Sequence, residues 1–220
     1  MLKASIRAFG DLISPAFRAV LFKALGLTLA LFIAVLILAE FILLTLTNFS
    51  WPWADQVLGA GLGLALFVTF FFLMGPVTAA FAGLFLDRIA ELVEQRHYPR
   101  DPPGSALPTS RSLLFALKFF LVVLAVNLAV LPVVFLGVGA IALVAANAYL
   151  LGREYFEMVA MRHVPADEAR DLRKKNGPTI FAAGILPALL ALVPVVNLAV
   201  PLFATSYFTH LFKSVRASSP

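Results

Sequence analysis

The chain opens on a short amphipathic segment. Leu2, Ile6, Phe9 and Ile13 recur at helical spacing, while Lys3, Arg7 and Asp11 share the opposite face. Charges return too often for a cleavable signal with an unbroken apolar centre, so residues 1–13 predict a helix lying in the membrane interface. Ser14-Pro15 then restarts the helix, with serine as N-cap and proline at the first helical position. A long apolar run follows to Thr47, interrupted within its deeper part only by Glu40. Trp51 and Trp53 mark an interfacial loop. Val57–Leu86 carries no charge and leads directly into the polar segment Asp87–His97. Runs of this length exceed a ~30 Å hydrocarbon core at ~1.5 Å per residue, so the second helix tilts or leaves the bilayer. Small residues four apart, Gly59/Gly63 and Gly75/Ala79/Gly83, predict close helix packing along it.

Prolines 99, 102, 103 and 108 with Gly104 make the next segment an irregular loop. Leu113–Gly152 is apolar except for Lys118 and is broken midway by Pro132, Gly137 and Gly139. A surface helix over 165–175 has Asp167 and Glu168 in its first turn and Arg173, Lys174 and Lys175 in its last, matching the helix dipole. The last apolar stretch, Thr179–Phe212, contains Pro187, Pro194 and Pro201. Folded around Pro194–Asn197, its arms reach only ~22 Å, too short to cross. Charge placement favours doubling back in both stretches over single crossings. Hairpins put residues 1–23, 87–118, 153–175 and 213–220 on one side, and all 17 lysines and arginines fall in those segments. Single crossings would strand the basic residues from Arg153 to Lys175 outside, against the positive-inside tendency.

The expected fold is therefore an all-α integral membrane protein, residues 1–220 forming a single membrane domain. It has an N-terminal interfacial amphipathic helix (1–13), two long transmembrane helices (15–47 and 57–97), two hemi-penetrating, re-entrant helical hairpins (113–163 and 179–212) and a surface helix (165–175).

Composition agrees. The chain is 61% hydrophobic and 13% charged, about half the charge of a soluble domain. Cysteine is absent, which removes disulfides and thiolate metal sites. The net charge of +5 suits the basic side of a membrane protein. No basic run is interleaved with exposed aromatics, so no nucleic-acid partner is expected. Gly137-Val138-Gly139-Ala140-Ile141-Ala142 matches a dinucleotide fingerprint by letters, but no strand precedes it and no acidic partner follows. No phosphate-binding loop is present, and His97, His163 and His210 are too scattered to form a ligand set. The expectation is no enzyme, no cofactor and no metal.

Three features point to ions. Ser14-Pro15-Ala16-Phe17-Arg18 is a capped helix start with an arginine in its first turn. Free backbone amides, the helix dipole and a guanidinium converge there, which favours a tetrahedral oxyanion; snorkelling of Arg18 to lipid phosphate is the rival reading. Glu40 is an intramembrane carboxylate, a pore or gating candidate, with pairing to Lys118 as the alternative. Asn127 and Asn197 sit at the expected mid-membrane turns and are pore candidates as well.

Leu73-Met74-Gly75-Pro76, Phe85 through Glu94, Gly152-Arg153-Glu154-Tyr155-Phe156-Glu157 and Val193 through Pro201 resemble the CysZ-type sulfate permeases. The resemblance spans most of the chain. It implies two long spanning helices, two hemi-penetrating hairpins, a homo-oligomer, passive sulfate transport for sulfur assimilation and cysteine biosynthesis, and a multi-pass place in the bacterial inner membrane. It also implies sulfate binding at a Gly-Leu-Arg-Arg turn opening the first long helix. Ala16, Phe17, Arg18 and Ala19 stand there in this chain. One arginine is kept, whereas the glycine and the second arginine are missing. The expected function is a sulfate or related oxyanion channel, with a non-transporting membrane scaffold as the alternative and a membrane-embedded enzyme third. The same domain also resembles a eukaryotic endoplasmic-reticulum group linked to stress responses.

Overall fold

The computed structural model describes residues 1–46, 59–61, 63–65, 85–106, 108, 114, 117–118, 121–122, 125 and 139–218. Among these residues all regular structure is helical. The tryptophan loop, most of the second apolar stretch, the Gly75/Ala79/Gly83 series and the turn around Asn127 and Pro132 lie outside them.

Helix α1 (Leu2–Leu12) has the predicted period, but its faces are used differently from a soluble amphipathic helix. Leu2, Ile6 and Ile13 are exposed, whereas Ala4, Ala8 and Asp11 pack inward. Small residues on the inner face let α1 lie close to the last helix, where the Phe9 and Phe203 rings sit 4.6 Å apart. Asp11, expected on the polar outer face with Lys3 and Arg7, is instead 1% exposed. Its buried hydrogen-bond partners, described below, replace water.

Helix α2 (Pro15–Leu46) is one continuous helix of 32 residues, ~48 Å long. Its segment Pro15–Ala39 is, among the described residues, the one helix long and apolar enough to cross a membrane. Ile33, Ile37 and Phe41 are exposed on it, as lipid-facing side chains are. The start of α2 is anchored: Phe17, Val20 and Ala24 pack with Ile89, Val93 and Leu202 in one buried cluster.

Helix α3 (Leu86–His97) begins with Asp87 and ends with Arg96 and His97, in accord with its dipole. Helix α4 (Gly139–Ala160) is followed by the surface helix α5 (Ala166–Lys175), with Pro165 as its N-cap. Then come α6 (Gly177–Ala191), the single turn α7 (Pro194–Asn197) and α8 (Val200–Ser218).

Two glycines set the closest helix approach. A Cβ at Gly152 would come 2.7 Å from the Ile180 carbonyl oxygen, and one at Gly184 would overlap the backbone of Ala148. Residue 148 faces 184 and residue 152 faces 180, so α4 and α6 run antiparallel. Along α8 the order is the same as along α4: Tyr155 stacks on Phe208, and Phe156 meets Phe212 edge-on. The chain therefore reverses direction between α6 and α8. Gly59 and Gly63, predicted as packing positions, have nothing among the described residues within 4 Å of an added Cβ. The tight contact seen among the described residues, between α4 and α6, sets backbone opposite backbone, which spacing within one helix does not reveal.

Helix α8 is the centre of the bundle. Every residue from Val200 to Lys213 is buried, and its two threonine hydroxyls are satisfied locally. Thr205 Oγ1 donates to Pro201 O at 2.8 Å and Thr209 Oγ1 to Thr205 O at 2.7 Å.

Candidate functional site

The Ser14–Arg18 turn keeps its predicted form. The Arg18 amide donates to Ser14 O at 3.1 Å, the first helical bond of α2. The Ala16 and Phe17 amides precede that bond and are among the free donors of a helix N-terminus. Phe17 is 3% exposed and fixes the turn to the bundle, while Ala16 and Arg18 face outward. Arg18 has no ion-pair partner among the described residues. Its guanidinium and the two amides can together take an oxyanion with charge-assisted hydrogen bonds.

The other predicted positions fall on other elements or outside the described residues. Glu40 lies in the second half of α2, and its side chain is outside what is described. Asn197 closes the α7 turn, half-buried, with its amide bonded to Val193 O at 2.8 Å. Asn127 lies outside the described residues.

Beside the α2 start, the polar ends of the helices form an ionic layer that spacing alone did not reveal. Its first cluster joins α1, α3 and α8. His97 Nε2 is 2.8 Å from Asp11 Oδ1, and His210 Nε2 is 3.4 Å from Asp11 Oδ2. Ser206 donates to Asp11 Oδ2 at 2.8 Å, and Arg96 Nη1 to Asp11 Oδ1 at 3.2 Å. Burial opposes the Asp11 charge most strongly. Hydrogen bonds from His210, His97 and Ser206, with the charge of His97, outweigh it and hold the carboxyl down at about 2. The expectation that the histidines are scattered is therefore corrected for His97 and His210. They are far apart in sequence, but the packing of α3 on α8 puts their rings 4.8 Å apart.

The second cluster joins α3 to the end of α4. Arg162 Nη1 donates to Asp87 Oδ1 at 2.5 Å and Nη2 to Glu94 Oε2 at 3.4 Å. His163 Nε2 is 2.9 Å from Glu94 Oε1, and the Gly104 amide donates to Glu94 Oε2 at 3.1 Å. Glu94 too is opposed chiefly by burial, yet His163, the Arg162 charge and the Gly104 amide hold it down at about 2. Lys213 pairs with Asp101 at 3.2 Å and Arg173 with Glu157. A cavity of about 510 Å³ opens next to this cluster. Its wall carries Asp87, Glu91, Glu94 and Asp101 against Arg88 and Arg162, which disfavours an anion. The layer is thus a charge-neutralised joint, and Arg18 stands exposed outside these pairs.

The family model described as "Sulfate transporter CysZ/Etoposide-induced protein 2.4" matches residues 4–201, most of the chain. No curated protein matches it.

Proposed function

The chain belongs to the sulfate transporter CysZ/etoposide-induced protein 2.4 family, and on that premise we propose that it is a passive permease for sulfate or a related oxyanion in a bacterial inner membrane. The observation that carries this reading is the family match, with an exposed arginine kept at the turn that opens the long apolar helix α2. The anion is first met by Arg18 and the amides of Ala16 and Phe17. No part of that binding requires a cofactor or a covalent step.

The membrane arrangement we propose is two long spanning helices with two hemi-penetrating hairpins, assembled as a homo-oligomer among lipids. Helix α6 has 15 residues, ~22 Å at 1.5 Å per residue, against a hydrocarbon core of ~30 Å. A helix that short followed by a reversal suits a hairpin entering from one face. Such hairpins bring helix ends and polar amides to mid-membrane, where they are tolerated beside a water-filled path. Asn127 and Asn197 would line that path, and Glu40 would repel anions along it and so gate or select them.

The test is uptake of radiolabelled sulfate into liposomes holding purified protein, with matched incorporation of variants. Arg18→Ala should lower sulfate affinity roughly ten- to a hundredfold, since a charge-assisted hydrogen bond contributes ~1.5–3 kcal/mol. Lys3→Ala, an exposed cation on α1, should leave uptake unchanged. Equal losses from both would reduce Arg18 to general surface charge. No uptake by the unaltered protein would favour a non-transporting scaffold, with the exposed, charged α5 as its docking element.

A further inference from the structure

The geometry points to a divalent-metal site of the zinc class formed by Asp11, His97 and His210. One ligand atom from each, a carboxylate oxygen and two imidazole nitrogens, lies within 4.8 Å of the other two. In a tetrahedral zinc site with bonds of ~2.0–2.1 Å, ligand atoms stand ~3.3 Å apart. His97 Nε2 stands 2.8 Å from Asp11 Oδ1 and His210 Nε2 3.4 Å from Asp11 Oδ2, so each imidazole already faces one oxygen of the same carboxylate at close to that spacing. Side-chain rotation alone can close the set around an ion.

The surroundings are those of a metal ligand set as well. His210 Nδ1 is 2.8 Å from the Tyr98 hydroxyl, which turns Nε2 toward Asp11. Ser206 holds Asp11 Oδ2 at 2.8 Å. Ligating histidines ordinarily have their second nitrogen hydrogen-bonded, and ligating carboxylates are held in the same way. Asp11 and His210 side chains are each 1% exposed, while that of His97 is 21% exposed. The site is therefore dry on two sides and open on the third, where a water completes the tetrahedron. Two imidazoles and one carboxylate suit a borderline cation better than calcium or magnesium, which prefer oxygen donors.

One charge opposes the ion. Arg96 donates to Asp11 Oδ1 at 3.2 Å, but its side chain is 55% exposed and can swing into water. That opposition separates this proposal from a plain ion-pair cluster. If the cluster is only a salt bridge, Arg96 is one of its supports. If it holds a metal, Arg96 competes with the metal. Bound there, the ion would clip α1, α3 and α8 together just before the Ser14–Arg18 turn. The proposal does not depend on which anion, if any, is transported.

The experiment uses full-length protein without a histidine tag, stripped by chelator in detergent and titrated with cobalt(II) and zinc(II). We expect one ion per chain, the visible ligand-field absorption of tetrahedral cobalt, and a zinc-dependent rise in Tm. His97→Ala, at the exposed ligand, should weaken binding by more than the ~10–100-fold typical of losing an outer-shell partner. Tyr98→Phe should weaken it within that ~10–100-fold range, and Arg96→Ala should strengthen it. If His210→Ala fails to fold, the other three variants still decide. No cobalt absorption from the unaltered protein at large molar excess would overturn the proposal. Absorption of equal strength in His97→Ala would do so too, as would weaker binding in Arg96→Ala.

Discussion

Helices α2 and α8 are both long, yet they invert the usual relation between polarity and burial. Along α2 the apolar side chains Ile33, Ile37 and Phe41 are exposed. Along α8 the polar Thr205, Ser206, Thr209, His210 and Lys213 are all buried. In water this would be a misfolded protein; with lipid as the solvent it is the expected order. Apolar surface gains nothing by leaving lipid, whereas a polar group must find a protein partner. Each of these five residues has found one, within its own helix or on α1, α3 and the loop after α3. The bundle is thus held at its polar centre and solvated at its apolar edge.

The sharpest way to break that contrast is to remove a buried charge. Arg162→Ala removes the buried guanidinium that bridges Asp87 and the 4%-exposed Glu94, and breaking one side of a buried pair costs ~3–5 kcal/mol. Thermal unfolding in detergent should show a large fall in Tm or no folded protein. A small fall would mean that water reaches the cluster.

Next comes Gly184→Ala. Its Cβ would meet the Ala148 backbone, which cannot move aside as a side chain end can. Overpacking of this kind costs ~1–3 kcal/mol or more, so the Tm should drop while the same change at Gly26, with nothing within 4 Å, leaves it nearly unchanged.

A similar or somewhat smaller effect is expected from acid. Asp11 and Glu94 are held near 2 in the folded protein, below their ordinary values of 3.8 and 4.5. A carboxyl depressed on folding contributes stability above its unfolded value and loses it as pH falls through the folded one. Stability should therefore decline between pH ~4.5 and ~2, by about 2 kcal/mol for Asp11. Asp11→Asn should be less stable at neutral pH and show a shallower decline over that window. An unchanged slope would exclude Asp11 as one of its sources.

The smallest effect should come from the lipid face. Ile37→Ala trims a side chain that is 61% exposed, and changes away from packed features usually stay within ~0.5 kcal/mol. A large loss of Tm or a change in oligomer size would show that this face of α2 meets protein rather than lipid.

The helix starts and charge-bearing ends were readable in the sequence because each depends on neighbours within a few residues. Ser14-Pro15 opens α2, Pro165 opens α5, and the acidic and basic turns of α5 fall where predicted. Arg18 as an exposed helix-start cation follows from the same local rules. The joining of Asp11 to His97 and His210 does not, because those residues lie on three separate helices. Helical periodicity says which face a residue occupies, and it is silent about what that face meets. The spacing of Asp11 with Lys3 and Arg7 suggested an outer face, and the packing of Ala4 and Ala8 against α8 turned it inward. Gly152 and Gly184 were likewise unremarkable as letters. They matter because one helix runs past another closely enough for a carbonyl oxygen to fill the space of a missing Cβ. Local chemistry decided where helices begin, which segments seek lipid and that Arg18 stands exposed at a helix start. Only the tertiary structure decided which buried polar groups share a partner, since each pairing is set by contact between segments that no short-range preference links.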